Sequence, residues 1–278
     1  MTPIHIPHGL HSHINSMVDY GSRFEGLMTQ REMEFLILLA AVPTANGDIL
    51  EIGSFKGRST ILLAKSAAAF STSKVIAVDP LEGDALWQSS QAGVSSVANE
   101  FYSNIQSAGV RNLVEFHQTY SSQLARSWVT GRKIRLLWID GDHTAKGVRA
   151  DFELFFPHLA EGAIVAFHDV LHSFNGPTRV FADQVLSSED VCAAGVVGSI
   201  GWAQFQGRAR ISAEEKGRIA TLKRRVSSVA DTLVEELGPS GWRSILFKLR
   251  RALVPHGALD PATWANSVDG TFAPKLIS

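Results

Sequence analysis

Ionisable side chains gather where apolar runs end in this sequence. Glu51-Ile-Gly-Ser-Phe-Lys-Gly-Arg-Ser-Thr60 follows Ile49-Leu50 and precedes an alanine- and leucine-rich stretch, the order of a strand, a glycine turn and a helix start. Such a turn aims unpaired backbone N–H groups at whatever binds there, and Gly53 and Gly57 let a ligand come close. That chemistry suits a nucleotide-type cofactor. Asp79-Pro80 ends a second apolar run, where a carboxylate can accept both hydroxyls of a ribose. Asp140-Gly-Asp-His143 closes another run, and His168-Asp169 the next. Adjacent strands lie about 5 Å apart, so Asp140 and Asp169 can approach a common point. Two facing carboxylates repel unless a cation or proton lies between them, which marks a metal or proton-transfer site.

These clusters act together only if strands deliver them side by side. Apolar runs at 48–52, 74–78, 113–116, 134–139 and 163–167 alternate with helical patterns at 58–70, 97–108, 122–129 and 145–156. Thr29, with Glu32 three residues on, forms a capping box for a helix that reaches Ala41 and is closed by Pro43. Gly162 leads into the strand at 163–167, and further strands are expected at 191–197 and 202–206. This alternation predicts an α/β fold, a doubly wound and mostly parallel sheet covered on both faces. Ligands of such sheets bind beyond the carboxyl ends of the strands, where every cluster above falls. The expected division is an N-terminal arm over 1–28 with one short helix, a cofactor-binding domain over 29–207, and a basic helical extension over 208–278, loosely organised after Pro255.

The 278 residues are 45% apolar and 19% charged, with a formal net charge of −1. A packed core is expected, and the chain as a whole has no general attraction to nucleic acid or anionic lipid. Cys192 is the single cysteine; it fits a reducing compartment and a place in the core. No run approaches the roughly 18 apolar residues of a membrane span, and the first 22 residues hold no Lys or Arg. The cytoplasm is therefore the expected location. His5, His8, His11 and His13 sit on a terminus without preorganised geometry and are not expected to hold a metal. Lys223-Arg224-Arg225 lacks interleaved aromatics, so nucleic acid is not an expected partner. Over 242–253, Trp242, Ile245, Leu246, Leu249 and Leu253 form one helical stripe beside Arg243, Lys248, Arg250 and Arg251. Docking on the chain's own core or on a sister subunit of a homo-oligomer is expected, with a membrane surface or a protein partner as the alternative.

Glu51 to Thr60, Asp79, Leu137-Trp-Ile-Asp-Gly-Asp-His143 and Ile164-Val-Ala-Phe-His-Asp169 together resemble class I S-adenosylmethionine-dependent methyltransferases, over roughly residues 30 to 206. More narrowly, they are similar to the bacterial branch related to catechol O-methyltransferase and to macrolide-sugar and cephamycin-pathway methyltransferases. The resemblance implies a Rossmann-like sheet of seven strands, with Glu51, Gly53, Ser54 and Gly57 around S-adenosylmethionine. It also implies Ser59 on the methionine carboxylate, Asp79 on the ribose, Ser121 near the adenine and Asp140 close to the cofactor's amino group. Asp140 and Asp169 match metal ligands, with His168 beside them, for Mg²⁺ or a similar divalent ion. His143 matches the general base of several relatives, and Asp142 that of another branch. The arm is implied as a lid over the site. Two departures stand out: Val170 replaces an asparagine of the catechol-type branch, and His168 replaces an acid of the sugar-modifying branch. A third oxygen ligand is thus missing, and a histidine ligand favours a softer ion than Mg²⁺.

The implied activity is O-methylation of a small-molecule or sugar hydroxyl, with the acceptor aligned in line and its proton removed by His143 or Asp142. Residues 1–30, 81–100 and 170–180 are expected to line the acceptor pocket, with Trp87, Phe101 and Phe174 as candidate walls. Two other readings remain open. An NAD(P)-dependent oxidoreductase uses a similar sheet, although the third glycine of its turn is missing. A non-catalytic protein would bind the cofactor and assemble with a partner enzyme through the basic tail.

Overall fold

The computed structural model describes residues 4, 6–82, 94–206, 211–233, 239–257 and 259–268. Its centre is a seven-stranded sheet in the order β3-β2-β1-β4-β5-β7-β6. The strands are β1 (Asp48–Ile52), β2 (Val75–Val78), β3 (Val114–His117), β4 (Ile134–Ile139), β5 (Leu159–Phe167), β6 (Val191–Val197) and β7 (Ile200–Phe205). Strands β1 to β5 pair in parallel, and β7 runs antiparallel to both β5 and β6. The doubly wound, mostly parallel α/β fold read from the sequence is the fold observed.

The strands are mostly apolar because both faces are covered. Neighbouring residues point to opposite faces, so Ile49, Leu136 and Ile164 enter one core while Leu50, Leu137 and Val165 enter the other. The first core is closed by α1 (Leu10–Gly21), α2 (Gln30–Ala41), α3 (Arg58–Phe70) and α4 (Val94–Ser107). The second is closed by α5 (Ser121–Arg126), α6 (Ala145–Phe155), α7 (Asn175–Val180) and α8 (Ala213–Ala230).

Helix α2 begins with the expected capping box, Thr29 and Glu32 bonding reciprocally. Its end is held by Arg135 of β4, which donates to the carbonyls of Leu39 at 3.1 Å and Ala40 at 2.7 Å. A buried guanidinium inside an apolar strand thus satisfies the last carbonyls of a helix. Helix α1 buries Leu10, Ile14 and Val18, so residues 10–21 are a packed part of the first core.

Several expectations are corrected. Gly162 lies inside β5, which starts at Leu159, and a side chain there would press on the Thr44 carbonyl at 2.9 Å. The sequence after Asp169 gave no helix, yet α7 forms and continues as one π turn over Phe181–Val185. Past Pro255, α10 (Pro261–Ala265) is capped by Asp260 and buries Trp264, whose ring lies 6.2 Å from that of Trp202. Helix α9 (Trp242–Ala252) buries Phe247, whereas Trp242, Ile245, Leu249 and Leu253 are exposed. The stripe expected to dock on the chain's own core therefore faces away from it. Trp87 lies outside the described residues, and Phe101 is fully buried in the first core.

Candidate active site

The carboxyl ends of β1, β2, β4 and β5 meet along one edge of the sheet. After β1, Gly53 adopts φ 87°, and a Cβ on it would stand 2.2 Å from the Asp140 carbonyl oxygen. Only glycine lets the turn pass so near the end of β4. Gly57, at φ 89°, caps α3 and leaves the first amides of that helix without a side-chain partner at the cap. A helix start of this kind attracts anionic groups.

Below the turn, Glu51 is fully buried. Its Oε2 accepts from Ser54 Oγ at 3.1 Å and Thr60 Oγ1 at 2.5 Å. Its Oε1 is buried without an aligned hydrogen bond. Burial pushes the carboxyl up to about 7, against the opposing hydrogen bonds from Ser59, Thr60 and Ser54. Asp79, at the end of β2, takes up the turn itself. Its Oδ2 accepts from the amides of Ser54 at 2.6 Å and Phe55 at 2.9 Å, and its Oδ1 from Leu81 N at 2.6 Å. Burial raises its pKa in spite of those amides.

Beyond β4 and β5 the acids and histidines converge. His143 Nε2 stands 2.9 Å from Asp169 Oδ2. His168 Nδ1 is 3.1 Å from Asp140 Oδ1 and 3.4 Å from Asp169 Oδ1, and its Nε2 is 3.8 Å from Glu32 Oε2. Burial alone would lower the pKa of both histidines. The surrounding carboxylates outweigh it and raise them, His168 well above its ordinary value. In return, and against the upward push of burial, His143 and His168 hold Asp169 well below the carboxylate range. Asp169 sits at φ 58°, a left-handed conformation that aspartate tolerates better than most residues. The His143 ring is stacked on Phe174 with centroids 4.2 Å apart. Gly176 permits that approach: a Cβ there would lie 2.3 Å from the His143 carbonyl oxygen.

Asp140, His143 and Asp169 each offer one ligand atom, all within 4.8 Å of one another. Two carboxylate oxygens and an imidazole nitrogen form a mixed donor set that fits a divalent cation, Mn²⁺, Fe²⁺ or Zn²⁺ more readily than Mg²⁺. Nε2 of both His143 and His168 is buried without an aligned hydrogen bond, each facing a carboxylate, Asp169 and Glu32 respectively.

Other residues singled out in the sequence stand apart from this centre. Asp142 is exposed and accepts from the Thr144 amide at 2.7 Å, at the start of α6. Ser121 donates to Asp151 at 2.5 Å. Burial first, and the Asp142 charge with it, push Asp151 up to about 6 against that bond. Ser59 lies buried in the first turn of α3.

Sequence reading missed three contributors. Glu32 reads as a helix cap, yet its Oε1 accepts from Ser199 N at 2.7 Å and Ser199 Oγ at 2.6 Å. That bond joins α2 to the β6–β7 turn. Lys56 bridges Glu25 at 2.7 Å and Glu100 at 2.9 Å. Arg58 donates to the carbonyls of Phe24 at 2.6 Å and Gly26 at 2.9 Å, so residues 24–26 are fastened beside the glycine turn. A capping glutamate with a second oxygen to spare, and cations inside a cofactor turn, are the sequence signals that could have found them.

Residues 50–170 match the methyltransferase domain family. No curated protein sequence matches the chain. Among solved structures, the fold is similar to the O-methyltransferase TomG from Streptomyces achromogenes, involved in tomaymycin synthesis and solved with SAM. The match covers 73% of this chain and 92% of that one, at 20% identity and TM-score 0.52. An O-methyltransferase from Bacillus cereus in complex with SAH matches over 72% and 92%, at 18% identity and TM-score 0.51. The O-methyltransferase NovP matches over 71% and 98%, at 15% identity and TM-score 0.55. The family match sets aside the nicotinamide-dependent alternative. With a glycine turn after β1 and a sheet ordered β3-β2-β1-β4-β5-β7-β6, the chain carries a methyltransferase domain over residues 50–170.

Proposed function

We propose that this protein transfers a methyl group from S-adenosylmethionine to the hydroxyl oxygen of a small molecule or sugar. The observation that carries the proposal is the position of His143, held against Asp169 at 2.9 Å and stacked on Phe174 at 4.2 Å, beyond the strand next to the glycine turn. The similar structures are described as O-methyltransferases, two of them with SAM or SAH bound, which supports the donor and the acceptor atom.

When bound, the cofactor supplies an activated methyl on a sulfonium. The chain's part is to bind it, align an acceptor and take a proton. The α3 start with Ser59 suits the methionine carboxylate. The unpaired Glu51 Oε1 and the nearby Asp140 suit its ammonium group. Asp79, whose carboxylate keeps acceptor capacity beside its amide bonds, suits the ribose. Ser121, after β3, would border the adenine end.

His143 is the preferred base over Asp142, because Asp142 is committed to the start of α6. The acceptor's proton passes to the imidazole, and Asp169 stabilises the imidazolium that results. A divalent cation at Asp140 and Asp169 would lower the acceptor's pKa. If His143 is itself a ligand, proton removal falls to another group, so the two roles exclude each other. A screen of hydroxylated acceptors with methyl-labelled S-adenosylmethionine, run with and without chelator, tests the proposal. Label transferred to oxygen supports it. Cofactor binding with every acceptor unmodified would favour the non-catalytic reading.

A further inference from the structure

Helix α9 turns its apolar side away from the protein. It is docked through Phe247 and through Arg250, whose Nη1 donates to the Ser228 carbonyl of α8 at 2.6 Å. The opposite side carries Trp242, Ile245, Leu249 and Leu253, which are 69%, 64%, 61% and 57% exposed. Positions three and four apart lie one above the other on a helix, so these side chains form one continuous stripe. Arg243 and Lys248, both exposed, fall on the two flanks of that stripe. Residues 239–257 contain no Asp or Glu. A contiguous apolar patch with a charged rim marks an interaction site.

Charge decides what fits it. A second copy packed stripe to stripe would bring Arg243 and Lys248 of both copies together, with no carboxylate on the helix to answer them. An anionic bilayer answers both features. Its acyl boundary accommodates the Trp, Ile and Leu side chains, and its headgroup phosphates pair with the flanking cations. At about 16 Å, the helix is far too short to span a bilayer and suits lying in its plane. We propose that α9 is an in-plane anchor that seats this methyltransferase reversibly on an anionic lipid surface. The near-neutral chain has no such attraction as a whole, so the contact is confined to this patch.

The test is co-sedimentation of the full chain with vesicles of phosphatidylglycerol and phosphatidylcholine, compared with phosphatidylcholine alone, at low and high salt. Binding to the anionic vesicles is expected to be at least about tenfold stronger and to weaken with salt. Arg243→Glu with Lys248→Glu should weaken it by at least about tenfold, since each basic residue near such a surface contributes a factor of about five. Ile245→Ser with Leu249→Ser should do the same while leaving every cation in place. These side chains are exposed, so the thermal midpoint of either variant should match the native protein. Equal binding to both vesicles, or binding to neither, overturns the proposal. In the second case, a dimer in light scattering that Ile245→Ser with Leu249→Ser dissociates would assign the stripe to a second copy.

Discussion

His143 Nε2 and Asp169 Oδ2 stand 2.9 Å apart at the ends of neighbouring strands, and Phe174 covers the other side of the imidazole at 4.2 Å. A side chain held from two directions keeps one orientation, as a base or a ligand must. The two roles predict different losses. As the base, His143→Ala should lower turnover by about 10²- to 10⁴-fold while Mn²⁺ and S-adenosylmethionine affinities change by less than about threefold. Steady-state kinetics and calorimetry on the same preparation read both. A loss of Mn²⁺ affinity of about tenfold or more would make it a ligand instead.

Asp169→Asn removes one carboxylate from the group of Asp140, His143 and Asp169. Mn²⁺ affinity should fall by at least about tenfold. In the native protein, affinity should rise with pH. The raised pKa values of His143 and His168 keep protons near the site at neutral pH, and a cation must displace that positive charge. Calorimetric titration across a pH series checks both. An affinity indifferent to pH and to Asp169 would exclude the site.

Glu51 makes stability depend on pH. Its carboxyl rises from an ordinary 4.5 to about 7 in the folded chain, so between those values the folded state binds the extra proton. The contribution of that group is fully present below 4.5 and is lost as pH rises through about 7. The full effect is at most on the order of 3 kcal/mol. Glu51→Gln keeps the shape without the charge. Its stability relative to the native protein should therefore improve from about pH 5 to about pH 8 in urea denaturation. Parallel pH curves for the two proteins would refute this account of Glu51.

Glu32→Ala removes the glutamate half of the Thr29 capping box and leaves Ser199 N and Ser199 Oγ without their acceptor. Loss of that half of the box costs about 1 kcal/mol, and buried unsatisfied donors about 1–3 kcal/mol more. A destabilisation of roughly 2–4 kcal/mol is expected from denaturant titration. A change below about 0.5 kcal/mol would mean that solvent or another group replaces the carboxylate.

Local rules made much of this fold legible. The capping box at Thr29 and Glu32, the glycine turn after β1 and the apolar runs ending at Asp79, Asp140 and His168 are short-range patterns with one physical solution each. What stayed hidden depends on distant partners. Glu32 meets Ser199, 167 positions away. Arg135 reads as an interruption of a strand until the open carbonyls of α2 are known. Helix α7 has no periodicity to announce it. It forms where Gly176 passes the His143 carbonyl, a contact between chain segments that no local pattern encodes. The α9 stripe was visible as an amphipathic pattern, but periodicity cannot say which face meets the protein.

Titration calorimetry of the full chain with S-adenosylmethionine, and with NAD⁺ as the control, addresses the cofactor site at its root. Saturable one-to-one binding of S-adenosylmethionine, with no heat from NAD⁺, is expected. No binding of S-adenosylmethionine, or saturable binding of NAD⁺ in its place, would contradict the assignment of the glycine turn and of the chemistry built beside it.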